Sequence, residues 1–172
     1  MKIFFLSLVA AFGVTAAVRG DESSVKLSDV HLCCQSCVKG VAAATSKIKG
    51  LTATADQDDG TITLKGPDVA TVQKGVDALT DAGYFGKSSD PAIKVNAQTG
   101  AKDQKVQSLE IENVHLCCGK CVKSVNEALS AVSGVKTNTA AKGAKMFTVT
   151  GDFNQKEVFT ALQKEGLTGK VK

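Results

Sequence analysis

The chain has 172 residues, 43% hydrophobic and 22% charged, a balance ordinary for a globular protein of one or two domains and unlike a disordered or largely membrane-embedded chain. Aromatic residues make up only 5%, with no Trp, so base stacking has little to work with. The formal charge of +4 is too small to recommend nucleic acid as a partner.

The first residues read as a secretory signal peptide, set here at 1–20. Met1-Lys2 is a short basic start, Ile3 to Val14 is a nearly unbroken apolar run, and Thr15, Ala16 and Ala17 are small residues ahead of the polar "RGDESS". Cleavage after Ala16, Ala17 or Gly20 satisfies the same pattern. The run is well short of the ~20 residues that cross a bilayer, so no membrane span is expected once it is removed. The expected localisation is exported, either periplasmic or secreted.

Residues 24–95 form the first expected domain. Val25 and Leu27 alternate with polar residues and predict a strand running into "VHLCCQSCVKGV" (Val30 to Val41). Val38, Val41, Thr45 and Ile48 then recur at helical spacing, with the helix beginning at Cys37-Val38 and stopping at Gly50. "LTATADQDDGTITLKG" predicts two short strands around a turn. Val69, Val72, Val76 and Leu79 predict a second helix after Pro67-Asp68. A short extended piece around Ile93 and Val95 closes the unit.

Residues 96–106 are polar, lack periodicity and read as a flexible linker. Residues 107–172 then repeat the first unit. The loop returns as "VHLCCGKCVKSV" (Val114 to Val125), and His31 aligns with His115 at an offset of 84 that also pairs Gly50 with Gly134. Leu109 and Ile111 supply the first strand, while Val122, Val125, Leu129 and Val132 supply the first helix. "VKTNTAAKGAKMFTVTG" is the strand pair; Val158, Ala161 and Leu162 lie on the second helix, and the final extended piece is at Val171. The order βαββαβ, twice, predicts an α+β protein of two tandem ferredoxin-like sandwich domains. Each copy has only about 65–70 residues and a correspondingly limited core.

All six cysteines lie in the two loops: Cys33, Cys34, Cys37 and Cys117, Cys118, Cys121. Structural disulfides in exported proteins usually staple distant segments, whereas clustered sulfurs suit metal binding or electron exchange. C-x-x-C at a helix start places its sulfurs beside unpaired amides that favour thiolate over thiol. Two thiolates satisfy Cu(I) in near-linear array, and a third, Cys33 or Cys117, permits a trigonal or bridged site. Zn(II) would want a fourth ligand. His31 and His115, two residues before the first cysteine and on the same strand face, make a Cys3His site conceivable. The alternative is that each histidine is a strand-end residue carried along by the duplication. A local disulfide within each loop is the competing reading of the cysteines.

The loop, its place between first strand and first helix, and the βαββαβ order together resemble the heavy-metal-associated (HMA) domain family: copper chaperones, N-terminal domains of copper-transporting ATPases and the periplasmic mercury-binding protein. Members carry G-M-x-C-x-x-C. Here "HLCCQSC" and "HLCCGKC" put Leu32 and Leu116 at the methionine, Cys34 and Cys118 at the first ligand, and Cys37 and Cys121 at the second. "LTDAGYFGK" looks like the family's A-G-Y segment, which implies that Tyr84 packs near the metal. "LQKEGLTGK" ends in Thr168-Gly169-Lys170, similar to the T-G-K of eukaryotic copper chaperones, which implies that Lys170 helps neutralise a thiolate-metal complex. Three departures stand out: histidine for the loop glycine, leucine for the methionine, and the extra Cys33 and Cys117.

The leading expectation is a non-enzymatic exported protein that sequesters or relays Cu(I), or Zn(II), Cd(II) or Hg(II), passing the ion by ligand exchange to a metal transporter or another HMA-like protein. No catalytic base, nucleophile pair or phosphate loop is visible in the sequence. One alternative is thiol-disulfide exchange or redox sensing, with Cys34 attacking and Cys37 or Cys33 resolving, although the aromatic and proline residues that flank C-x-x-C in thioredoxins are missing. Another is an interaction module whose cysteines are disulfide-bonded.

Overall fold

The computed structural model describes residues 22–172, and the expected signal peptide lies outside them. The first domain contains β1 (Ser23–Ser28), α1 (Gln35–Thr45), β2 (Thr52–Asp56), β3 (Thr61–Gly66), α2 (Val69–Asp81) and β4 (Lys87–Ser88). The second contains β5 (Lys105–Glu112), α3 (Gly119–Ser130), β6 (Val135–Asn138), β7 (Met146–Asn154), α4 (Gln155–Lys164) and β8 (Lys170–Val171). Each has a four-stranded antiparallel sheet, ordered β2-β3-β1-β4 and β6-β7-β5-β8. Two helices cover one face of each sheet, which is the ferredoxin-like arrangement expected from the element order. No described helix is long and apolar enough to cross a membrane.

Alternation along the central strands builds each core. Val25, Leu27, Ile62 and Leu64 point inward in the first domain, and Leu109, Ile111, Phe147, Val149 and Phe153 do so in the second. Onto them pack Val41, Val72, Val76 and Leu79, or Val125, Leu129, Val158, Phe159 and Leu162. Phe159 belongs to the core face of α4 beside the expected Val158 and Leu162. Ile48 and Val132, assigned by spacing to the first helices, follow them in the chain, because α1 ends at Thr45 and α3 at Ser130. Val69 is exposed, since it occupies the first residue of α2.

The first domain closes earlier than expected. Its fourth strand is Lys87–Ser88, paired with Leu27 and Ser28, and Ile93 is a buried plug beyond it. A two-residue strand carries no period to read, so the later apolar pair drew the assignment. The Gln73 side-chain amide fastens the following stretch to α2, donating to the Lys94 carbonyl and accepting from its amide, both at 2.8 Å.

The expected flexible linker, 96–106, is also tied down. The Thr99 carbonyl accepts from the Val171 amide at 2.8 Å, Lys102 donates its amide to Gln155 Oε1 at 3.0 Å, and the Gln104 carbonyl accepts from the Gln155 amide at 3.1 Å. β5 begins at Lys105, inside the expected linker. Polarity misled the sequence reading because the segment is held largely by its backbone.

Helices and strands of the two domains do not pack on one another; the domains meet through loops. The segments after α2 and α4 pair antiparallel at Tyr84 and Leu167. Thr168 donates its amide to the Gly83 carbonyl at 3.0 Å, and the Gly166 carbonyl accepts from Phe85 at 3.1 Å and from His31 at 3.2 Å. Lys170 pairs with Asp81 across the same boundary at 2.8 Å. Gly83 and Gly166, equivalent in the repeat, have φ of +90° and +71°. A Cβ at Gly83 would strike the Asn113 carbonyl, and one at Gly166 the Asp29 carbonyl, each in the other domain.

Gly166→Ala should therefore loosen the domain pairing by more than about 1 kcal/mol while both sandwiches stay folded. Small-angle scattering should report a larger radius of gyration with unchanged far-UV circular dichroism; an unaltered radius would count against the pairing.

Candidate metal centre

Both cysteine loops are shaped by the same local sequence logic. At the end of β1 and β5, Asp29 and Asn113 take positive φ, 59° and 61°, a conformation that short Asx side chains tolerate. The turn sends the chain off the sheet. Val30 and Leu32, and likewise Val114 and Leu116, are buried, so the two leucines anchor each loop in its core. His31 and Cys33, and His115 and Cys117, alternate with these anchors and are only partly buried.

The next cysteine in each loop stands at the helix N-cap. Cys34 and Cys118 are extended and make no side-chain cap bond, and the helices begin at Gln35 and Gly119, so the first starts two residues before the expected Cys37-Val38. The two distal helices are capped conventionally: Asp68 accepts from the Thr71 amide at 2.6 Å, and Asn154 from the Lys156 amide at 2.9 Å. Sulfur thus replaces the usual oxygen at the two helix starts that carry the site. Cys37 and Cys121 lie in the first helical turn and are fully buried.

The domain pairing brings these loops face to face, and all six sulfurs converge. None is in a disulfide. Within the first loop Cys33 and Cys34 lie 3.7 and 3.8 Å from Cys37. In the second, Cys117 and Cys118 lie 3.6 and 3.9 Å from Cys121. Between loops the contacts are as short: Cys33 to Cys118 at 3.4 Å, Cys33 to Cys121 at 3.5 Å, Cys34 to Cys117 at 3.6 Å and Cys37 to Cys117 at 3.5 Å. The sequence gives both trios, but not their meeting.

Protonation is uneven across the cluster. The Cys121 thiol beside Cys37, with His115, Cys117 and the Cys34 backbone, stabilises the Cys37 thiolate and draws its pKa far below the ordinary range. Cys121, next to that anion and buried, is correspondingly raised. Burial pushes Cys33 up to about 12, with the neighbouring Cys118 sulfur acting in the same direction. Burial raises Cys117 as well. At Cys118 burial opposes ionisation, but the nearby Cys121 and Lys120 amides, although they do not reach capping geometry, and the Cys33 thiol outweigh it and bring the pKa down to about 6. These are the helix-start amides expected to favour thiolate.

The accessory residues take different places. Tyr84 is buried and donates its hydroxyl to the Cys37 carbonyl at 2.8 Å, with His115 Nε2 of the other domain 3.1 Å away. The hydroxyl has one proton and gives it to the carbonyl, so His115 Nε2 supplies the proton of the second bond. Their rings pack with centroids 4.6 Å apart. Burial, followed by the cysteine charges, raises the Tyr84 pKa and keeps the hydroxyl a donor. Its repeat equivalent is Leu167, which has no polar group. His31 Nε2 is buried without a partner, and the His31 ring shares a compact group with Cys33 and Cys121, their ligand atoms lying within 4.8 Å of one another. Burial holds the His31 imidazole below its ordinary range, towards the neutral form that can ligate. Lys170, expected to neutralise thiolate charge, instead turns its ammonium to Asp81.

No family model and no curated protein matches the chain. Several solved structures align with it, among them the following two. The apo form of the HMA domain of copper chaperone for superoxide dismutase does so at 24% identity, over 46% of this chain and 81% of its own, with a TM-score of 0.35. The N-terminal soluble domains of Bacillus subtilis CopA do so at 15% identity, over 89% of this chain and 95% of theirs, with a TM-score of 0.33. The fold assignment rests on this chain's own strand order and pairing.

Tyr84→Phe removes the donor of the buried Cys37 carbonyl and the acceptor of His115 together. It should cost about 1–3 kcal/mol, seen as a lower urea midpoint in the metal-free protein. A midpoint equal to the parent's would show that the hydroxyl does not clamp the loops.

Proposed function

We propose that the protein is an exported, non-enzymatic carrier or reservoir of a soft thiophilic metal ion, Cu(I) before Zn(II), Cd(II) or Hg(II), held by the thiolates of its two loops. The observation that carries this reading is the meeting of six free sulfurs at 3.4–3.9 Å from their neighbours. An all-sulfur donor set selects soft ions, and Cu(I) accepts two or three thiolates without demanding a fourth. Metal–sulfur bonds of about 2.3 Å place the corners of a trigonal site about 4.0 Å apart and the ends of a linear one about 4.6 Å apart. The observed contacts lie nearer the trigonal spacing.

Export rests on the signal-like pattern of residues 1–20. In an oxidising compartment the bound ion itself protects the sulfurs. Release would proceed by ligand exchange, with an incoming thiolate of a transporter or a second HMA-like protein displacing one sulfur at a time.

Titrating the reduced chain with Cu(I) against a competing chelator tests this reading. The chain should retain copper with its thiols blocked to alkylation, and replacing all six cysteines by serine should abolish retention. A reduced chain that takes up no Cu(I), yet reduces insulin disulfides in a manner lost on Cys34→Ser, would instead make it a thiol-disulfide exchange protein.

A further inference from the structure

The first cysteine of each loop, Cys33 or Cys117, has no counterpart in C-x-x-C. Adjacency in sequence suggests that it adds a third sulfur to its own loop. The distances suggest a different partition. Cys34, Cys37 and Cys117 form a closed triangle with sides of 3.8, 3.6 and 3.5 Å. Cys118, Cys121 and Cys33 form a second, with sides of 3.9, 3.4 and 3.5 Å. Each triangle contains the C-x-x-C pair of one domain and the extra cysteine of the other. Under the repeat's sequence equivalence, which pairs Cys33 with Cys117, Cys34 with Cys118 and Cys37 with Cys121, each triangle is the counterpart of the other.

We propose that Cys33 and Cys117 are ligands in trans: each completes a three-sulfur Cu(I) site whose other two sulfurs belong to the opposite domain, giving two reciprocal trigonal sites in one inter-domain cluster. This rests on the soft-metal reading above. Each triangle is compact enough for one ion to reach all three sulfurs, with sides within about 0.6 Å of the ~4.0 Å expected for trigonal metal–sulfur geometry. The triangles are joined by Cys33 to Cys37 at 3.7 Å and Cys117 to Cys121 at 3.6 Å, so a thiolate of one site is next to the ion of the other. Two Cu(I) ions and six thiolates carry a net charge of −4, and the unpaired amides at the starts of α1 and α3 face that charge. The protons released are those of the thiols that ligate.

The cluster has a chemical consequence for partners. A mononuclear C-x-x-C site leaves one side open to an incoming thiolate, whereas here the opposite domain already occupies that side. Metal loading should therefore also lock the two domains together.

The test uses the full chain in two backgrounds. With Cys34 and Cys37 both changed to serine, the surviving pair is Cys118 and Cys121; adding Cys33→Ser should weaken Cu(I) binding about 10–100-fold more than adding Cys117→Ser, at least the scale seen when a group supporting a metal ligand is lost. With Cys118 and Cys121 both changed to serine the order should invert, and Cys117→Ser should be the costly change. X-ray absorption should find three sulfurs per copper in each background and two after the costly change. General unfolding cannot produce an inversion of this kind. Equal losses in both backgrounds, or the larger loss falling on the cysteine of the surviving loop, would overturn the trans assignment while leaving soft-metal binding intact. Failure of the unaltered chain to bind Cu(I) would remove the underlying reading itself.

Discussion

The main-chain bonds exchanged between residues 83–85 and 166–168 hold the two cysteine loops against each other, and the chemistry of the site depends on them. Thr168 to Gly83, Phe85 to Gly166 and the bridge between Tyr84 and Leu167 join two segments that follow equivalent helices. Each segment also lies against the loop of the opposite domain, as the bond from His31 to Gly166 shows. Apart from this pairing the chain would be two small sandwiches with three sulfurs apiece. Through it, six sulfurs share one space, and their proton affinities are set by one another as much as by burial. The backbone is well suited to this task because its bonds fix loop spacing more tightly than pairs of long side chains would.

Much of the architecture was legible in the sequence. Val25 and Leu27, the spacing of Val41 and Thr45, and the Pro67-Asp68 start of α2 each carry a local signal, and the duplication lets every signal be read twice. The closing strand was misplaced because Lys87 and Ser88 are too few to show alternation. The two ends of the linker were misread because Thr99 and Gln104 bond through their carbonyls, which leaves no mark on composition. At the site, the cysteines and their helix starts were readable, but their convergence was not. It depends on glycines whose partners lie in the other repeat, and one sequence gives no register between domains.

The duplication is also imperfect where it matters. Tyr84 clamps the Cys37 carbonyl and engages His115, whereas Leu167, in the equivalent place, leaves His31 Nε2 without a partner. One imidazole is committed to a hydrogen bond with the opposite domain, and the other is half-buried beside Cys33 and Cys121 with its Nε2 unpartnered. The two sides of the cluster therefore differ in polarity and in available donors, although their cysteines match.

That difference bears on why the two domains share one chain. Two identical single domains could meet through the same surfaces as an isologous pair, but symmetry would then require the same residue at both positions, two tyrosines or two leucines. Joining the halves through residues 96–104 removes that requirement. It also makes assembly independent of protein concentration, so the chain would keep its two loops opposed at dilutions where a dissociable dimer would come apart.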